Sequence, residues 1–208
     1  MAKTILSEFL HFFGFLFLAL ITVLAIRFFI IQPFLVRGES MIPTFHNFDY
    51  LFVERVSYYF RNPERGDVVV FRFPQNESDF FIKRIIASPG ERVAIQNGVI
   101  TIYEAGKKEP LILDEPLFLK NMQTQGDTDI TLGENEYFVL GDNRGASFDS
   151  RKWGVLPSRD IAGRVLLRVW PFTDAKFFSA KDYPYHFVAA GAASPQAGVW
   201  QGNFAFPG

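Results

Sequence analysis

The sequence predicts a mainly β protein: one N-terminal transmembrane helix followed by an antiparallel β body with a small β insertion. Three observations carry that prediction. The first 31 of the 208 residues hold 23 apolar side chains and only three charges, Lys3, Glu8 and Arg27. The remaining 177 read as short alternating runs separated by Gly, Pro and Asn, with almost no helical period. Between two such runs stands Asn97-Gly98, a pair suited to a type I′ hairpin because both turn positions need positive φ.

Residues 9–31 are nearly all Phe, Leu, Ile, Val and Ala, and as a helix they reach roughly 35 Å, enough for a hydrocarbon core. Arg27 near the end of the run can snorkel to headgroups. No polar stripe marks a solvent face, which argues against a helix buried in a soluble core. The run is also too long for a removable leader and lacks small residues at its end. Charge does not orient the segment, since Lys3 and the terminal amine are offset by Glu8 while Arg27 and Arg37 lie beyond. Residues 1–31 are therefore read as a short N-terminal stub plus anchor.

In the body, strands are expected at 34–36, 50–56, 67–73, 80–87, 92–96, 99–103, 136–140 and 162–170. Pro33 fits an edge strand, where a missing N–H breaks no ladder bond. Residues 104–133 are polar and irregular and read as an insertion between paired strands. The main domain is placed at 32–173 and a C-terminal extension at 174–208. From about residue 183 that extension is Ala/Gly-rich and expected to be flexible, apart from Trp200, Phe204 and Phe206.

Composition removes several function classes. Without residues 1–31 the chain carries 19 basic and 21 acidic side chains, no excess of the kind that phosphate binding demands, so no nucleic-acid partner is expected. There is no cysteine, hence no disulfide, thiol nucleophile or thiolate metal site. The three histidines, His11, His46 and His186, are far apart in sequence, and neither a metal nor a cofactor is expected.

Three segments carry potential chemistry. Ser40 lies in Gly38-Glu39-Ser40-Met41-Ile42-Pro43-Thr44, just past a short apolar strand. An alcohol needs a base to become a nucleophile, and with no plausible histidine partner a carboxylate or a neutral lysine remains. In Phe80-Phe81-Ile82-Lys83-Arg84-Ile85-Ile86 the strand period of two puts Lys83 on the face of Phe81 and Ile85, opposite Arg84. Desolvation there disfavours the ammonium, as a lysine base requires. The same period also allows a lysine whose stem covers apolar surface while its head reaches water. The third segment, Gly141 to Arg151, reads either as a solvated loop or as a rigid polar one in which Ser147 hydrogen-bonds the lysine and Asp149 and Arg151 hold the loop.

Taken together, the three segments resemble the type I signal peptidases, membrane-bound Ser/Lys proteases, over most of the chain from the anchor to about Pro171. The motifs are Gly38 to Thr44, residues 49–56, Arg65-Gly66-Asp67-Val68-Val69-Val70-Phe71 through Phe81-Ile82-Lys83-Arg84-Ile85, and GDNRGASFDSRKWG from Gly141. The resemblance implies a β body of the signal-peptidase type, with Ser40 as nucleophile and Lys83 as general base. It implies that Ser147 orients the lysine, Asp149 and Arg151 form a supporting ion pair, and Asp142 shapes the loop. Where some members carry a serine that donates to the oxyanion, this chain has Gly38, so the oxyanion hole rests on the Ser40 N–H and a backbone donor near Gly38. A second departure is Gly145-Ala146, where the best-known members have Asp-Asn. Implied pocket walls are Phe34, Val36, Met41, Phe45, Phe81 and Ile82. Implied partners are signal-bearing preproteins emerging from the secretion translocon, together with the lipid bilayer. The implied location is the bacterial cytoplasmic (inner) membrane, single-pass, with the catalytic domain on the extracytoplasmic side. Two rivals stand beside this reading: a catalytically silent, membrane-tethered β domain that binds exported chains, and a self-cleaving Ser/Lys repressor, whose DNA-binding domain would occupy the place of the anchor.

Overall fold

The computed structural model describes residues 2–25, 31–114, 124–180 and 186–189. Helix α1 spans Ala2–Ala25, so it begins before the apolar run does. Ile31, assigned to the helix by its composition, instead opens strand β1. Among the described residues no helix is long and apolar enough to cross a membrane. Phe12, Phe15 and Phe17 of α1 are nonetheless exposed, so nothing among the described residues covers them.

Thirteen strands form two sheets among the described residues. The larger contains β1 (Ile31–Leu35), β2 (Tyr50–Glu54), β3 (Val68–Phe73), β4 (Asn76–Ala87), β9 (Glu136–Leu140), β10 (Leu156–Pro157) and β11 (Ile161–Trp170), in the order β1-β2-β11-β3-β4-β9-β10. β12 (Lys176–Phe177) pairs with β11 off this path. The smaller sheet runs β13-β7-β6-β5-β8, from β5 (Arg92–Gln96), β6 (Val99–Tyr103), β7 (Leu111–Asp114), β8 (Thr128–Thr131) and β13 (His186–Ala189). Every recorded pairing is antiparallel.

The alternation of side chains explains how β3 can be apolar along its length. Val68 and Val70 join one core with Val36, Met41, Phe45, Leu51, Val53 and Val165. Val69 and Phe71 face the other way, onto Ile85, Tyr137, Val139, Leu156 and Ile161. Both faces of this central strand are therefore covered, the condition under which a strand reads as a continuous apolar run. A third core joins the smaller sheet to Ile86, Ala87, Phe138 and Leu140. Pro33 sits on β1, the edge strand, opposite Phe52. Asn97 and Gly98 have φ of 50° and 80° and turn β5 into β6.

Two expectations change. The stretch 104–133 is not irregular throughout, because β7 and β8 lie in it and extend the smaller sheet on either side. Residues 186–189, within the segment expected to be flexible, form β13 and pair with β7 from His186 opposite Asp114 to Ala189 opposite Leu111. Residues 190–208, with Trp200, Phe204 and Phe206, lie outside the described residues.

Candidate active site

Strand β4 positions the lysine. Lys83 is 4% exposed, with Phe81 on its own face and the Phe81 ring centroid 5.5 Å from Nζ. Phe81 in turn stacks on Phe73, and Phe71, Phe73 and Trp153 close the aromatic layer beneath it. Arg84 points to the opposite face, as the period of two requires. Burial pushes the Lys83 amine down to about 8, against the opposing pull of the Asp149 and Asp142 carboxylates.

Ser40 arrives from a turn between β1 and β2, 43 residues away in sequence, and Lys83 Nζ donates to Ser40 Oγ at 2.8 Å. The second hydrogen bond of the amine goes to the carbonyl of Ile82, also at 2.8 Å. Ser147, expected to orient the amine, does not bond to it. Its buried hydroxyl lies against Gly141, makes no hydrogen bond of ordinary geometry among the described residues, and stands beside Asp149. Gly141 has a function of its own here. A Cβ at that position would collide with Ser147 Oγ and would lie 2.5 Å from the Ser40 carbonyl oxygen, so only glycine lets the loop approach the serine turn.

The other loop residues form a continuous network. Asp149 is fully buried, caps helix α2 (Ser150–Trp153), accepts from the Gly141 N–H at 3.1 Å and pairs with Arg151 through two bonds of 2.8 Å. Burial alone would raise the Asp149 carboxyl, but the bonds and charge of Arg151 outweigh it and hold the carboxyl below its ordinary value. Arg151 also donates to the carbonyls of Arg144 and Gln125. Asp142 is clamped by Arg84 through bonds of 2.9 and 2.7 Å and accepts from Thr44 Oγ1 at 2.5 Å. Asn143, which no local pattern marks out, donates from its backbone to Ser40 O and from its side chain to Glu39 O.

Gly38 has φ of +95°, but its N–H is already committed to Asn47 Oδ1 at 3.1 Å, so it is not a second oxyanion donor in this conformation. Ser40 N–H, by contrast, has no acceptor among the described residues.

A cleft of about 470 Å³ opens beside the pair, and Phe34, Val36, Phe81 and Ile82 line it together with Ser40 and Lys83. Met41 and Phe45 do not. They are 1% and 0% exposed and belong to the core, where Phe45 packs on Phe178 at 4.6 Å. Phe80, Phe148 and Ala146 complete the cleft instead. Both long walls offer unpaired strand edges. β1 is the edge of its sheet. β4 pairs with β9 only from Arg84 onward, which leaves Phe80 to Ile82 without a strand partner on that side, the Ile82 carbonyl accepting from Lys83 Nζ.

A half-buried serine bonded to a buried lysine, at the head of an open-edged cleft, is an arrangement suited to a serine peptidase. The description signal peptidase, peptidase S26, belongs to the family whose model matches residues 9–170. A probable signal peptidase I-1 from Synechocystis sp. is 38% identical over 165 residues, 75% of this chain and 80% of that protein. Signal peptidase IB from Staphylococcus aureus (strain MRSA252) is 34% identical over 166 residues, 72% of this chain and 83% of its own length. The crystal structure of a signal peptidase I from Enterococcus faecalis V583 is 30% identical, covers 50% of this chain and 97% of its own, and superposes with a TM-score of 0.41. The chain belongs to the signal peptidase family S26, among the type I signal peptidases.

Proposed function

We propose that this chain removes signal peptides from exported preproteins as a membrane-anchored endopeptidase, cutting after small-x-small sites with Ser40 as nucleophile and Lys83 as general base. The observation that carries this reading is the 2.8 Å contact between Ser40 Oγ and an amine whose proton affinity is lowered by burial. In its neutral form the Lys83 amine accepts the hydroxyl proton along that line while Ser40 Oγ attacks the scissile carbonyl carbon. The carbonyl electrons move to oxygen and are met by the Ser40 N–H. As the C–N bond breaks, Lys83 returns the proton to the leaving amine. Water, deprotonated by the same lysine, then hydrolyses the ester and restores Ser40. Asp149, Arg151, Asp142 and Gly141 hold the loop against the serine turn.

The substrate enters as an added strand between the free edges of β1 and β4, with main-chain bonds supplying affinity. In an extended peptide the first and third residues before the cut face the same way, toward the walls made by Phe34, Val36, Phe81 and Ile82. Large side chains there clash, which gives a preference for small ones. Met41 and Phe45 support those walls from behind.

The membrane part of the proposal rests on two apolar surfaces. The apolar run 9–31 overlaps α1, whose described aromatic side chains are exposed. Beside the cleft, Leu35, Tyr50 and Trp170 are successive partners across β1, β2 and β11 and so share one face, and they are 41%, 42% and 52% exposed. Phe172 continues this rim, its ring 4.8 Å from that of Trp170. Such a surface suits a domain that rests on a bilayer, in a bacterium the extracytoplasmic face of the inner membrane, where a preprotein leaves the translocon.

The test is cleavage of a signal-bearing preprotein in detergent or vesicles. Ser40→Ala and Lys83→Ala each reduce turnover to background while circular dichroism remains that of the parent. Turnover above a tenth of wild type in either variant would sink the Ser/Lys assignment.

A further inference from the structure

Most of the loop that follows β9 has a role in the scheme above, but Asn143 has none, although it makes more contacts to the serine turn than any residue of the network. Its backbone N–H donates to Ser40 O at 3.0 Å, and its Nδ2 donates to Glu39 O at 3.1 Å. Its Oδ1 also accepts from the Ala146 N–H at 3.4 Å, which fixes the side-chain amide in the orientation that presents Nδ2 to Glu39. One residue therefore grips the two consecutive carbonyls on either side of the Ser40 backbone.

That grip has a directional consequence. In a trans peptide the C=O and the following N–H are antiparallel within one plane. Glu39 C=O and Ser40 N–H belong to the same peptide unit. Holding the Glu39 oxygen toward Asn143 therefore turns the Ser40 N–H away from it, beside the cleft that Gly38, Glu39 and Ser40 line. The Ser40 N–H has no acceptor among the described residues, and Gly38 N–H is occupied by Asn47. The turn bond from Ile42 N–H to Glu39 O, at 3.2 Å, helps but is long.

We infer that Asn143 is a positioning residue for catalysis, and that its side-chain amide sets the direction of the Ser40 N–H, the donor that stabilises the oxyanion. The inference rests on the Ser/Lys reading and adds a specificity for the transition state over the ground state. Asn143 touches neither the substrate nor the reacting atoms. It acts through the peptide plane between Glu39 and Ser40.

The experiment compares wild type with Asn143→Ala and the near-isosteric Asn143→Leu, both of which keep the backbone bond to Ser40 and lose the side-chain donor. The expected result is a fall in kcat on the order of 100-fold, with KM within about threefold and the pH midpoint unmoved. A peptide aldehyde, which forms a tetrahedral adduct with the serine, loses affinity by a similar factor, whereas the cleaved product peptide binds as before. A wild-type kcat overturns the inference. So does a loss of activity that follows only the folded fraction and leaves aldehyde affinity per folded molecule unchanged. Should both variants fail to fold, the unmodified protein decides: NMR of the aldehyde adduct must show the Ser40 amide proton shifted downfield and the Asn143 side-chain amide protected from exchange, and an unshifted Ser40 amide rejects the scheme. Ser40→Ala in parallel separates the two levels, because an active Ser40→Ala variant removes the Ser/Lys reading, while an inactive one beside a fully active Asn143→Ala removes only the positioning role.

Discussion

Lys83 concentrates the chemistry at the residue scale. With an ordinary pKa near ~10.4, only about one lysine in 2,500 would be neutral at pH 7, whereas at about 8 roughly one in ten is. Burial therefore raises the neutral fraction of the amine at pH 7 roughly 250-fold, and the measurable result is a pH profile. Between the two values the unfolded chain binds a proton that the folded chain has released, so the lysine adds stability as pH rises from about 8 toward 10.5 and none below that window. Activity rises below that window and levels off just inside its lower edge. We predict that kcat/KM for a neutral peptide increases tenfold per pH unit below about 7.5 and levels off above about 8.5. A profile flat from pH 6 to 10 would contradict Lys83 as the base. The face of this lysine was legible from the period of two around Phe81 and Ile85. Its pairing with Ser40 was expected only through the family resemblance, because a contact 43 residues apart leaves no trace in the local pattern, and its bond to the Ile82 carbonyl was not legible at all. Met41 and Phe45 show the same limit from the apolar side: nothing local distinguishes a pocket wall from a core residue, and Phe45 is buried by Phe178, 133 positions further along the chain.

At the scale of elements, the site is a contact between two turns, and glycine decides how close they come. Gly141 follows β9 and lies against both the Ser40 carbonyl and the Ser147 side chain, with no room for a methyl group. Gly141→Ala must therefore displace backbone rather than a flexible side-chain tip. We predict a stability loss of about 1–3 kcal/mol in urea unfolding and a drop in kcat/KM of at least ~100-fold, since a displacement of even 1 Å misplaces the attacking oxygen. A variant that cleaves within threefold of wild type would show that the loop accommodates the methyl group without moving Ser40. Most strands were readable: β4, β5, β6 and β9 alternate or run apolar between clear breakers. β7, β8 and β13 were not, for a physical reason. Each is four residues long, and β8 (Thr128–Thr131) has one apolar side chain, so its strand character comes from pairing with β5 rather than from its own pattern. The stretch 104–133 also reaches the site, since Thr124 and Gln125 within it bond to Arg144 and Arg151 of the loop after β9.

Across the whole molecule, the buried pair Arg84–Asp142 ties together segments far apart in sequence. Arg84 on β4 grips Asp142, 58 residues away, and the Gly66 carbonyl before β3, while Asp142 takes the Thr44 hydroxyl from the serine turn. Both partners are nearly sealed from water, at 3% and 1% side-chain exposure. Removing one charge from such a pair leaves the other buried without compensation, which costs far more than a surface bridge is worth. Arg84→Met should therefore destabilise the protein by about 3–5 kcal/mol. Asp142→Leu added to it should recover most of that loss, because two apolar groups bury no charge. The pair also reaches the base electrostatically. The Asp142 carboxylate already pulls the Lys83 amine upward. Without the arginine that pull is less neutralised, so the activity midpoint of Arg84→Met should move to higher pH, and the double variant should return it to about 8 or below. Urea denaturation and pH–rate profiles on the three proteins decide both points. Equal stability in wild type and Arg84→Met would mean that water or a rearranged partner reaches Asp142, and the pair would then be a surface bridge in effect. A stability loss with an unmoved midpoint would separate folding from catalysis, leaving Asp142 as an anchor for the loop with no influence on the lysine it faces.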